Sequence, residues 1–85
     1  MDALDNMEDN SNIVAFNNDV TPFELVFYVL HTVVPMSQDQ AFSKTREIHE
    51  QGKSLVYTGS RSHCEKIGQA LKTIKVEYEI YSTND

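Results

Sequence analysis

Cysteine occurs once, at position 64, so an intramolecular disulfide is excluded and a reducing cytoplasm is the natural setting. Basic residues are few, with 7 Lys and Arg against 13 Asp and Glu and a formal charge of -6. An acidic chain without a basic stripe is a poor nucleic-acid binder, because phosphate neutralisation dominates such affinity. No run approaches the roughly 20 apolar residues of a membrane span. The N-terminus lacks the basic start and apolar run of a signal peptide. Glycine, present 3 times, forms no phosphate-cradling loop. These shortages point to a soluble cytoplasmic protein with neither nucleic acid nor membrane as partner.

At 85 residues, 40% of them hydrophobic, the chain is long enough for one small domain. Its first ten residues hold Asp2, Asp5, Glu8 and Asp9 and no base. Residues 1–11 therefore read as a flexible acidic tail and residues 12–85 as the folded domain.

Ile13 to Phe16 form a short apolar run that stops at Asn17, Asn18 and Asp19, the pattern of a strand entering a turn. A turn needs only one or two such residues. Thr21 as N-cap, Pro22 at the first helical position and Glu24 closing a capping box predict a helix over 22–34, ended by Pro35. Its stripe, Phe23, Val26, Phe27, Leu30, Val33 and Val34, is widened by Leu25, Tyr28 and Val29, so burial on two sides is expected. Ser37 caps a second helix that runs to Gln51 and stops at Gly52, with Ala41, Thr45 and Ile48 on one face.

Residues 54–58 read as a strand broken by Gly59 and Ser60. Ser62 and Glu65 offer a capping box for a third helix with Cys64, Ile67, Leu71 and Ile74 on one side. Residues 76–81 alternate with period two, as a half-exposed strand does. The order suggests an α+β domain, a three-stranded antiparallel sheet with three helices packed on one face.

Catalytic groupings are missing. On a helix His63 and Cys64 diverge by about 100° and cannot form a nucleophile-base pair. Cys64 falls on the apolar face and reads as a core residue. His31, His49, His63 and Cys64 show none of the spacings of a metal site. No catalytic residue, metal or cofactor is expected, and a histidine such as His49 near a helix C-terminus is favoured there by the dipole.

Two segments together resemble one family. NNDVTPFELVFYVL, residues 17–30, resembles the Asn-Asp-Asp-x-Thr-Pro start of the ClpS adaptors, and IHEQGKSLVYT, residues 48–58, resembles the family's histidine, glycine and lysine ending of the second helix. The interval between them fits, and the family's βααβαβ order covers residues 12–82. The resemblance implies a non-enzymatic, monomeric adaptor. Such a protein binds substrates that begin with Leu, Phe, Tyr or Trp and hands them to the N-terminal domain of a ClpA- or ClpC-type AAA+ unfoldase.

By the same resemblance Asn17, Asn18 and His49 bind the α-amino group, which needs several acceptors at one point, including a neutral imidazole nitrogen. Phe23, Val26, Thr45 and Ile48, with Thr21 and Tyr78, wall an apolar pocket. Glu65 and Lys66 stand where the family docks on its unfoldase. Asn18 replaces a carboxylate, which implies recognition weaker by about tenfold and restored by Asn18→Asp; Asp19 offers a charge one residue on. Phe23 replaces a methionine and Thr45 a longer apolar residue, shifting the accepted side chain. The tail is shorter than the family's usual extension, so a deficit is expected in delivery rather than binding. A regulator that docks on the unfoldase without binding such substrates is the alternative.

Overall fold

The computed structural model describes residues 10–83, so the acidic segment 1–9 and residues 84 and 85 lie outside the described residues. Among these the elements run β1 (Asn10–Phe16), α1 (Phe23–Thr32), α2 (Gln38–Gln51), β2 (Lys53–Ser60), α3 (Arg61–Thr73) and β3 (Tyr78–Ser82). The sheet is antiparallel in the order β2-β1-β3, so the expected α+β fold and its βααβαβ order hold.

β1 lies in the middle because its alternation supplies two useful faces. Ser11, Ile13 and Ala15 are buried under the helices, while Asn12, Val14 and Phe16 turn to the opposite face. The strand starts at Asn10, ahead of its apolar run, because Asn10 and Ser11 pair with Ser60 and Gly59 of β2. On the next rung the Thr58 hydroxyl donates to Asn12 Oδ1 at 2.6 Å. Gly59 therefore does not break β2. Its missing side chain leaves room for the Tyr57 ring, which a Cβ at this position would strike.

The helix caps divide between expected and unexpected. Ser37 accepts from the Gln40 amide at 3.1 Å, and Gly52, at φ 92°, ends α2 as its left-handed stop. At α3 the cap is Ser60, which accepts from the His63 amide at 3.2 Å, in place of the Ser62 and Glu65 box. At α1 the capping box is not formed. The Thr21 hydroxyl is drawn instead to the carbonyl of Ile74 at 2.6 Å, leaving Pro22 at the cap position without a side-chain bond.

α1 buries one face only. Val26, Val29 and Leu30 enter the core, whereas Leu25 and Tyr28 are exposed, which corrects the two-sided burial expected of this helix. Ala41 and Ile48 of α2, and Cys64, Ile67 and Leu71 of α3, complete the core against Ile13 and Ala15. Removing a large side chain from such a core costs about 2–5 kcal/mol. Cys64 is fully buried with its Sγ donating to the Ser11 carbonyl at 3.6 Å, and burial pushes its thiol up, away from the reactive thiolate.

α3 closes in a way no glycine announces. Val76 N donates to the Leu71 carbonyl at 2.9 Å while Lys75 takes φ 68°, the left-handed conformation usually left to glycine. Val76 thus belongs to the helix ending, and β3 begins two residues later than the alternation suggested.

Candidate functional site

The segment between β1 and α1 is fixed at both ends by backbone bonds. Phe16 N donates to the Glu77 carbonyl and Asn17 N to the Gly52 carbonyl, each at 2.9 Å. The second bond joins the start of the turn to the left-handed stop of α2, one turn beyond His49. Gly52 serves both elements: its φ ends the helix, and its carbonyl receives the loop.

Within the turn, Asn18 is committed to structure. Its Oδ1 accepts from Val20 N at 2.8 Å and Thr21 N at 2.7 Å, an Asx turn, and its Nδ2 donates to the Lys75 carbonyl at 2.6 Å. With the Thr21 hydroxyl on Ile74, two side chains of the loop are strapped to consecutive carbonyls at the end of α3. By contrast, the side chains of Asn17, Asp19 and His49 are exposed and have no hydrogen-bond or ionic partner among the described residues.

These elements enclose a cavity of about 180 Å³, lined by Asn17, Asn18, Asp19 and Thr21 of the loop, Phe23 and Val26 of α1, and Thr45, Ile48 and His49 of α2. Val26, Thr45 and Ile48 are buried and form its inner side; Asn17, Asp19 and His49 stand at its exposed side. Thr45 brings no free donor, because its hydroxyl donates to the Ala41 carbonyl at 2.6 Å. The inner side is therefore apolar in effect. Small-molecule pockets commonly occupy about 300–1,000 Å³, so this space suits a single side chain.

Nine of the residues singled out in the sequence meet at this cavity, and Tyr78 does not. Its ring lies over Gly68 of α3, where a Cβ would come within 2.5 Å of it. Tyr78 lines instead a cavity of about 500 Å³ with Phe16, Lys72, Lys75, Val76, Glu77 and Glu79. That space is larger, but its two lysines offset its two glutamates, so a cation gains little field there. Glu65 and Lys66 are exposed on α3, far along the helix from its strapped end, and Glu65 accepts from Arg61 Nε at 3.2 Å.

Phe42 was missed by the sequence reading. It is half exposed, and its ring meets that of Phe23 edge-on, with centroids 5.4 Å apart and planes at 61°. The signal was present in its spacing, since Phe42, Thr45 and His49 recur three and four apart on α2. The other histidines are occupied: His31 Nδ1 donates to the Met36 carbonyl at 2.8 Å, and His63 packs on Tyr57 with ring centroids 4.6 Å apart. Among the described residues no three His, Cys, Asp or Glu side chains converge as metal ligands would, and no helix is long and apolar enough to cross a membrane.

Comparison with known proteins points one way. Residues 6–79 match the family described as ATP-dependent Clp protease adaptor protein ClpS. No curated protein matches the chain. Among solved structures, the fold is similar to that of Agrobacterium tumefaciens ClpS2 bound to L-phenylalaninamide, with a TM-score of 0.78 and 22% identity over 88% of this chain and 98% of that one.

Proposed function

The chain belongs to the ClpS family of Clp protease adaptors, and from that membership we propose that it binds proteins whose first residue is large and apolar and delivers them to a ClpA- or ClpC-type AAA+ unfoldase. It acts as a cytoplasmic monomer, and the unfoldase, through its N-terminal domain, supplies the ATP-driven work. The observation that carries this reading is a small cavity that joins unpartnered acceptors to an apolar inner side. An α-ammonium group offers three N–H donors and a full charge. Asn17 Oδ1, a ring nitrogen of His49 and the Asp19 carboxylate are the acceptors assigned to it.

This assignment moves one role. Asn18 was one of three expected acceptors, with Asn17 and His49, but its Oδ1 already takes two backbone amides. Asp19, next along and lining the same cavity, supplies the charge. L-phenylalaninamide, the ligand of the Agrobacterium ClpS2, has the two features the cavity suits, a free amine and an apolar side chain.

The apolar side of the cavity does not suffice alone. Burying a leucine or phenylalanine side chain contributes about 1.5–3 kcal/mol, less than the roughly 4 kcal/mol or more that association costs. Hydrogen bonds to the charged amine add about 1.5–3 kcal/mol each. Isothermal titration with peptides differing only in the first residue tests this directly. Leucine and aromatic starts should bind, alanine starts and N-acetylated peptides should not, and His49→Ala should lower affinity by about ten- to hundredfold. Equal binding before and after acetylation overturns the reading. Unfoldase binding without any peptide binding selects instead a docking regulator, with Glu65 and Lys66 the first residues to substitute.

A further inference from the structure

Phe42 is exposed over half its surface, an apolar ring that contributes little to the core of its own fold. It meets Phe23, which does line the cavity, in the edge-to-face arrangement that aromatic rings prefer. The two rings come from different helices, α1 and α2, and span the gap between them. Phe42 lies one turn N-terminal to Thr45, and His49 one turn C-terminal to it, so the aromatic pair and the amine-binding end are separated along α2 by about 10 Å. A first residue whose α-ammonium sits at His49 and whose side chain enters the cavity therefore extends toward Phe23.

Resting on the function proposed above, we propose that Phe42 is a positioning residue for specificity, holding the Phe23 ring so that it presents a fixed aromatic wall to the first side chain of the substrate. A fixed ring rewards an aromatic guest, which can pack edge-on or offset against it and extend the pair to three rings. Leucine contacts the same wall but has no ring to orient. A Phe23 ring free to turn loses that distinction while still excluding water. The site thus favours phenylalanine, tyrosine or tryptophan over leucine as the first residue, and the preference is set by a side chain that touches no part of the ligand.

The test is fluorescence anisotropy with three labelled peptides, identical except for a phenylalanine start, a leucine start and an N-acetylated phenylalanine start, against wild type, Phe42→Leu and Phe42→Tyr. Wild type should bind the phenylalanine start more tightly than the leucine start. Phe42→Leu should lower that ratio by about two- to tenfold with the leucine affinity nearly constant, and Phe42→Tyr should retain the ratio. A ratio unchanged in Phe42→Leu, or an equal loss for both free-amine peptides, overturns the inference while the function stands. Wild type binding neither free-amine peptide, or binding the acetylated one equally, overturns the function and this inference with it. Because Phe42 is exposed, the variants fold, and an unchanged thermal midpoint confirms that the ratio reports the site.

Discussion

Asn18 carries three hydrogen bonds on one amide group, and its chemistry depends on having both an acceptor and a donor. A carboxylate could keep the two bonds to Val20 N and Thr21 N but could not donate to the Lys75 carbonyl, and its second oxygen would face that carbonyl instead. Asn18→Asp should therefore destabilise the fold by about 1–3 kcal/mol in urea denaturation, and it should not tighten peptide binding. That reverses what the family pattern suggested from the sequence. The donor role was illegible there because Lys75 is 57 residues away in the chain. Asp19 is the complementary case: Asp19→Asn leaves the turn intact and removes charge from the cavity, so peptide affinity should fall by about tenfold with little change in stability.

Most elements whose signals were local were read correctly, the exception being α3, whose cap is Ser60 and not Ser62. Ser37 and Gly52 bound α2 because the cap and the stop act within one turn of helix, and apolar spacing located all six elements. Misreadings arose where a distant partner competed. Thr21 has the sequence of a cap, yet its hydroxyl is claimed by a carbonyl 53 residues away. The end of α3 gave no glycine to mark it, since Lys75 takes the left-handed conformation itself. That strain, about 1–2 kcal/mol for a residue with a Cβ, exceeds the roughly 0.4–1 kcal/mol a glycine adds to unfolded-state freedom. Lys75→Gly should therefore raise stability by roughly 0.5–1 kcal/mol, read as a higher denaturation midpoint. Since the strap uses the Lys75 carbonyl and not its side chain, peptide affinity should stay unchanged. Of the candidate site, the nine lining residues were legible from two motifs and the helix spacing ahead of the second; the structural role of Asn18, Phe42 and the displaced Tyr78 depended on how side chains pack across elements.

At the scale of the molecule, the cavity draws on the β1–α1 loop, both of the first two helices and, through the straps, the end of α3. A ligand that binds only this assembled arrangement stabilises the whole domain. At a hundred times its dissociation constant, a peptide with a free amine and a bulky first residue should add about 2.7 kcal/mol, raising the thermal midpoint of a domain this size by roughly 10–20 °C. Its acetylated counterpart should leave the midpoint unmoved. The same dispersal sets a schedule for the growing chain. Asn17, Asp19 and His49 leave the ribosome early, but the carbonyls of Ile74 and Lys75 that hold the loop of Asn17 and Asp19 emerge only afterwards. On the function proposed above, a nascent chain thus displays these groups before it can aim them, and it becomes competent only when the turn leading into its last strand has been made.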